Sequence, residues 1–211
     1  MSLEVESLTF GYRNGPRILD NWTGRFEEGE MVSLTGASGR GKSTLLYILG
    51  LMVNPISGRV LVDGLDAYAV SDADRADLRA ARFGFVFQDA ALDTSRSVLD
   101  NVVEAALYRG CSRKTAVKSA EVLLRKFEVN VQYNRRPGQV SGGQAQRIAL
   151  CRALLGDPQF ILADEPTGNL DRETSQLVLQ ALRQRARGGA TVLIATHDPD
   201  VVIECDRQVR L

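Results

Sequence analysis

Neither sign of charge is in excess in this sequence: 26 Lys and Arg residues stand against 26 Asp and Glu. Without a net field the chain has no global attraction to nucleic acid or to an anionic membrane, so no nucleic-acid partner is expected unless a local basic patch supplies one. Cysteine is scarce. Cys111, Cys151 and Cys205 are odd in number and widely spaced, which favours free thiols in a reducing cytosol over a disulfide framework or a metal site. No apolar run approaches the roughly 20 residues that span a bilayer, and Met1-Ser2-Leu3-Glu4-Val5-Glu6 has neither a basic region nor an apolar signal core. These absences point to a cytoplasmic protein. What is present is an ordinary globular composition, 44% apolar over 211 residues, enough for one domain or for one domain with a subdomain.

The chain is organised around residues 30–52. A short apolar run, Glu30-Met31-Val32-Ser33-Leu34-Thr35, breaks into Gly36-Ala37-Ser38-Gly39-Arg40-Gly41-Lys42-Ser43-Thr44, and Leu45-Leu46-Tyr47-Ile48-Leu49 then reads as helix. This is a strand, a glycine-rich loop and a helix. Gly36, Gly41, Lys42 and Ser43 fit the phosphate-binding pattern G-x-x-x-x-G-K-[ST], in the flanking context that the pattern needs. Glycines let successive backbone N–H groups converge on an anion, and the helix adds its positive end. Lys42 then reaches the β- and γ-phosphates of a nucleotide, and the Ser43 hydroxyl is available to Mg²⁺. Arg40 either adds a positive charge near the phosphates or simply faces solvent.

Ahead of that centre, residues 3–10 alternate apolar and polar as a half-buried strand does, and a turn over 11–16 carries Tyr12. Residues 18–26 form a second expected strand, and 58–62 with Asp63-Gly64 read as part of a hairpin. The N-terminal part is therefore rich in antiparallel strand. Ser71 caps an expected helix running to about Ala81, and Phe83-Gly84-Phe85-Val86-Phe87 makes a short buried strand ending at Gln88. Over 89–158 strand patterns give way to helical ones at 98–109, 113–128 and 142–155. Ala116, Ala120, Leu123, Leu124 and Phe127 share one face of the middle helix. Between the last two lies Pro137-Gly138-Gln139-Val140-Ser141-Gly142-Gly143-Gln144. That loop is either a plain helix start capped by Ser141 or a set of N–H groups offered to phosphate.

Gln159-Phe160-Ile161-Leu162-Ala163 runs apolar without alternation, like a strand buried on both faces, and ends in Asp164-Glu165-Pro166. Two carboxylates there are costly without a cation or a proton. A helix over 171–187 stops at Gly188-Gly189, and a second buried strand over 190–196 ends at His197, the one histidine of the chain. A lone histidine is more often structural than catalytic. At the C-terminal end of a parallel strand, however, it stands where open α/β sheets place their ligands. With Leu211 reached soon afterwards, no sizeable C-terminal regulatory domain is expected.

The phosphate loop, Val140-Ser141-Gly142-Gly143-Gln144, Ile161-Leu162-Ala163-Asp164-Glu165 and His197 resemble the motifs of the ATP-binding cassette ATPases in order and approximate separation, over essentially the whole chain. Ala163-Asp164-Glu165-Pro166-Thr167-Gly168-Asn169-Leu170-Asp171, with Ala195-Thr196-His197-Asp198, is similar to the subfamily of macrolide exporters, lipoprotein-releasing ATPases and the cell-division ATPase. The resemblance implies an α/β P-loop NTPase of the RecA-like kind, with an N-terminal antiparallel β subdomain and an inserted α-helical subdomain. Residues 1–88 and 159–211 would form the nucleotide-binding core, and 89–158 the helical signature subdomain.

It further implies ATP as substrate and Mg²⁺ as cofactor. Tyr12 would stack on adenine, and residues Gly36 to Thr44 would hold the phosphates. Ser43 and Gln88 would ligate Mg²⁺, with Asp164 in its coordination shell, while Glu165 would polarise the attacking water and His197 would orient it. Ser141, Gly142, Gly143 and Gln144 would complete the ATP site of a second copy arranged head to tail, and Asn169-Leu170-Asp171 would couple the two sites. Val140 replaces the leucine that commonly begins the signature. Separately encoded transmembrane permease subunits would be the other partner, holding the chain at the inner face of the membrane. Residues 89–93 lie where the family contacts its membrane partner. The implied function is that of an ATPase subunit powering an exporter or extractor. One alternative is a mechanical regulator of an extracytoplasmic enzyme; another, less favoured by a single cassette of zero net charge, is a soluble ATPase of repair or translation.

Overall fold

In this computed structural model residues 2–12, 15–168 and 170–211 are described; Arg13 and Asn14 of the expected first turn, and Asn169, lie outside them. Two long strands, β1 (Ser2–Gly11) and β2 (Arg17–Glu27), form an antiparallel pair whose register shifts past Val5. Ser7 and Asn21 there take left-handed backbone, φ 49° and 53°. With β4 (Ser57–Val62) and β5 (Leu65–Asp66) they complete a four-stranded antiparallel sheet in the order β2-β1-β4-β5.

The second sheet is parallel throughout. It joins β3 (Met31–Thr35), β6 (Phe83–Val86), β7 (Phe160–Asp164), β8 (Thr191–Ala195) and β9 (Arg207–Arg210) in the order β6-β7-β8-β3-β9. Every residue of β3, β7 and β8 is buried, which is why their sequences are apolar without alternation. Their alternate side chains enter two cores. Val32, Leu34, Leu162, Leu193 and Ala195 meet Leu45, Ile48 and Leu49 of α1 (Lys42–Leu49) and the antiparallel sheet. Met31, Ile161, Ala163, Val192 and Ile194 face the other way, toward α5 (Gly142–Leu154) and α6 (Arg172–Arg187).

The remaining helices are α2 (Asp72–Arg82), α3 (Val98–Tyr108), α4 (Arg113–Lys126) and α7 (Pro199–Ile203). Ser71, Ser97, Ser112 and Ser141 cap α2 to α5, each accepting from the N–H three residues on. Val102, Ala120, Leu124 and Phe127 of the helical segment belong to the same buried cluster as Ile161 and Ile194 of the sheet, so the insertion shares a core with the sheet. The three cysteines are free, and burial pushes the Cys151 thiol far above its usual range. Among the described residues no helix is long and apolar enough to cross a membrane.

Two expectations are corrected. The helix after the phosphate loop starts at Lys42, not after Thr44, because Gly41 at φ 95° already serves as its N-cap. The stretch beyond His197 also holds two elements that the pattern did not announce, α7 and the edge strand β9. Arg207-Gln208-Val209-Arg210 has one apolar residue, and an edge strand buries too little to need more.

Candidate functional site

Because the second sheet is parallel, β3, β6, β7 and β8 release their chains at one edge. Register fixes how they line up: Asp164 on β7 and Leu34 on β3 both pair with Ala195 on β8. One residue further on stand Glu165, Thr35 and Thr196; Gly36 and His197 follow. The site is thus assembled by strand pairing, not by proximity in sequence.

Gly36, Gly39 and Gly41 have φ of 148°, 79° and 95°. A Cβ at Gly36 would lie 2.7 Å from the Leu211 carbonyl oxygen, and one at Gly41 would lie 2.4 Å from Ile18 Cγ2. Only glycine fits those two positions. Ala37, Ser38, Gly39 and Arg40 are exposed, with the Arg40 N–H donating to the Ala37 oxygen at 3.2 Å to close the arch. Lys42 Nζ donates to the carbonyls of Gly36 at 2.9 Å and Ala37 at 3.3 Å, so its ammonium lies across the mouth of the loop. Buried Thr44 shares a 3.3 Å hydrogen bond with the Tyr12 hydroxyl, and Tyr12 packs edge-on against Phe10 with the ring centroids 5.1 Å apart. The Tyr12 ring is nonetheless 58% exposed at the rim.

Behind the loop, buried Asp164 accepts from Ser43 Oγ at 3.0 Å on one carboxylate oxygen and from the Tyr47 hydroxyl at 3.2 Å on the other. Burial first, and the Asp164 charge second, push the Tyr47 hydroxyl up to about 12, so it remains a donor. Glu165 takes left-handed backbone, φ 45°, and its N–H donates to the Ala195 oxygen at 2.9 Å. Both of its carboxylate oxygens are held: Thr196 Oγ1 donates to one at 3.2 Å, and His197 Nδ1 stands 2.7 Å from the other. Thr196 is itself fully buried and fixed by the Asp198 N–H at 3.0 Å. Hydrogen bonding and charge from Glu165 raise the His197 pKa, while its ring stays exposed to incoming groups.

Exposed Gln88 follows β6 directly after Phe87. The Phe87 carbonyl accepts from Gln146 Nε2 of α5 at 3.1 Å, and its ring centroid lies 6.2 Å from that of Tyr47. Next along the chain, Ala90 and Ala91 take φ of 62° and 44°, and Arg152 donates to both carbonyls at 2.8 and 2.7 Å. The segment is therefore clamped to α5.

Ser141 and Gln144 form a reciprocal cap. The Gln144 N–H donates to Ser141 Oγ at 3.2 Å, and the Ser141 N–H donates to Gln144 Oε1 at 2.9 Å. A Cβ at Gly142 would meet nothing within 4 Å, and one at Gly143 would meet Leu170 at 3.6 Å. Asp171 caps α6, receiving the Thr174 N–H at 2.9 Å and the Thr174 hydroxyl at 2.8 Å. Among the described residues no hydrogen bond or ion pair joins Ser141–Gln144 or Asp171 to the phosphate loop. The structure thus brings Tyr12, Gly36–Thr44, Gln88, Asp164, Glu165 and His197 to one edge, and leaves the signature loop apart.

Sequence reasoning missed Tyr47, Thr196, Gln146 and Arg152. Of these, Tyr47 alone had a signal, because it stands four residues after Ser43 and so shares its helical face. As a metal site the donor set is all oxygen: a hydroxyl, an amide carbonyl and a carboxylate. Hard oxygen donors in small number fit Mg²⁺, which keeps waters and leans on substrate phosphates.

Comparison with known proteins agrees with this arrangement. The family model described as ABC transporter matches residues 19–168. The chain is 42% identical over its whole length to the lipoprotein-releasing system ATP-binding protein LolD 1 of Rhodospirillum rubrum, covering 95% of that protein. It is 37% identical to LolD of Shewanella oneidensis, covering 99% of this chain and 93% of that one. In structure it is similar to the ATP-binding cassette MJ0796 in a dimeric post-hydrolysis state bound to ADP and Pi. That match has a TM-score of 0.93 and 34% identity, over 99% of this chain and 94% of that one.

Proposed function

The chain belongs to the ABC transporter ATPase family, and from that membership we propose that it powers the release of lipoproteins, or of similarly lipid-anchored cargo, from a membrane. It is an ATP-hydrolysing subunit that works as a dimer with separately encoded membrane subunits. The lipoprotein task is supported by relatives of that name matching end to end.

In the reaction proposed here, the ammonium of Lys42 exchanges its two loop carbonyls for the β- and γ-phosphates, helped by the N–H groups from Ala37 to Thr44. Tyr12 offers its exposed ring to the adenine. Ser43 and Gln88 would hold Mg²⁺, with Asp164 in its shell, and the bound ion would supply neutralisation of phosphate charge. A water attacks the γ-phosphorus, its proton passes to the Glu165 carboxylate, and the bond to the β-phosphate oxygen breaks to leave ADP and phosphate. The observation that carries the hydrolytic reading is the Glu165 carboxylate, held by Thr196 and His197 one residue beyond Asp164. Such a base is pre-aimed and need not reorganise as the water attacks.

The signature loop, exposed at Ser141 and Gly142 and sharing no hydrogen bond with the chain's own phosphate loop among the described residues, fits a role across a head-to-tail interface, where Ser141 Oγ and the N–H groups of Gly142 and Gly143 would meet the partner's γ-phosphate. Gln144 acts there through its cap on Ser141. The membrane partner would contact residues 89–93, whose Ala90 and Ala91 carbonyls are held by Arg152 beside a groove of about 590 Å³ lined by Met52, Phe85, Phe87, Ala105 and Tyr108. Docking there places the chain peripherally on the inner face of the membrane.

Affinity purification of the Glu165→Gln protein from detergent-solubilised native cells with Mg-ATP tests this function. A stoichiometric membrane subunit should co-purify, carrying bound lipoprotein. Recovery of ribosomal or DNA-repair proteins with no membrane subunit would overturn the proposal.

A further inference from the structure

Three separate segments supply the oxygens assigned above to the metal: Ser43 from α1, Asp164 from β7 and Gln88 from beyond β6. One side chain outside every binding motif reaches all three segments. Tyr47 stands one helical turn after Ser43. Its hydroxyl donates to Asp164 Oδ2 at 3.2 Å, while Ser43 Oγ donates to Oδ1 at 3.0 Å. Its ring lies 6.2 Å from that of Phe87, the residue before Gln88, with the planes 49° apart.

The consequence is orientation. The terminal torsion of an aspartate is soft, so a carboxylate held at one oxygen still turns. With the second oxygen bound to Tyr47, Asp164 is held at both ends and Oδ1 stays aimed at Ser43. Asp164 is only 4% exposed, so water does not readily replace that donor. Phe87 is braced from the other side, its carbonyl taken by Gln146, and the Tyr47 ring helps fix where Gln88 begins.

We propose that Tyr47 is a positioning residue for the Mg²⁺–nucleotide site, holding the Asp164 carboxylate and the start of the Gln88 segment in register with α1. This rests on the reading of Ser43, Gln88 and Asp164 as the metal's oxygens. Tyr47 itself touches neither nucleotide nor metal. Were it only a packing residue, the ring would suffice and the hydroxyl would be dispensable.

Tyr47→Phe keeps the ring and removes only the oxygen. On the Glu165→Gln background with saturating ATP, Mn²⁺ serves as the metal probe, with free Mn²⁺ read by electron paramagnetic resonance. Tyr47→Phe should raise the Mn²⁺ concentration at half-saturation about three- to tenfold, toward the lower range for loss of an outer-shell hydrogen bond. ATP affinity measured in EDTA and the thermal midpoint should stay close to those of the parent, which separates orientation from folding. Asp164→Asn, run in parallel, separates the two ideas. If Asp164→Asn weakens Mn²⁺ binding and Tyr47→Phe does not, the role of Tyr47 is refuted and the metal reading stands. If neither variant changes Mn²⁺ binding, the metal reading fails and takes this proposal with it.

Discussion

At the scale of single residues, the decisive pair is Glu165 and His197. Because His197 is the sole histidine, its ring protons give one unambiguous titration by nuclear magnetic resonance. Glu165 raises its pKa through a hydrogen bond and charge, with Asp198 adding to the effect and Lys42 opposing it. The midpoint should therefore lie above the usual imidazole value and fall toward it in Glu165→Gln; a midpoint unmoved by that substitution refutes the pairing. The sign for stability follows. A raised folded-state pKa means that the pair contributes fully below the unfolded-state value, and that the contribution fades as pH rises through the folded one. For turnover, Glu165→Gln removes the proposed base and should cost at least about a hundredfold, within the usual range for general-base loss; a smaller loss in steady-state ATPase assays would remove Glu165 from that role. The phosphate loop was legible in the sequence because its chemistry depends on spacing along the chain. The partners of Tyr47 and Thr196 were not, because they lie 117 and 31 residues away. Packing of α1 on the sheet brings Tyr47 to Asp164, and the pairing of β7 with β8 brings Thr196 to Glu165.

At the scale of elements, α5 packs on β6 and holds the Phe87 carbonyl just before Gln88. Gly84 shows how close that packing is: a Cβ there would lie 2.2 Å from the Ala153 carbonyl oxygen and 2.9 Å from Pro158. Backbone, unlike a long side chain, cannot swing aside. Gly84→Ala should therefore destabilise by about 3 kcal/mol or more, at the upper end of overpacking costs. Gly138→Ala, where nothing lies within 4 Å of the added carbon, should change stability by no more than about 0.5 kcal/mol. Urea unfolding of the two variants makes the comparison, and equal midpoints would refute the close approach. Most elements were readable because serine caps and apolar periodicity mark them, as at Ser71 and Ser141. The start of α1 was obscured because a glycine cap looks like loop, and β9 because it hides only part of Val209.

At the scale of the whole molecule, the order β6-β7-β8-β3-β9 gathers one half of an ATP site at a single edge. In the function proposed above the other half is carried on α5, whose Ser141 cap is exposed. A site divided in this way would close only when two copies meet, because a head-to-tail pair would put the loop of one against the signature of the other, twice. ATP then favours the closed pair only through contacts that the open form lacks, and in the proposal made above Ser141 with its neighbouring N–H groups would provide them. Light scattering should therefore find the Glu165→Gln protein monomeric without nucleotide and dimeric with saturating Mg-ATP. Adding Ser141→Arg should leave fluorescent-nucleotide binding to the monomer within about threefold while abolishing the dimer, since the arginine meets only the partner's site. If the doubly substituted chain still dimerises with ATP, the signature loop is not what the nucleotide bridges, and the interface must be sought on another face.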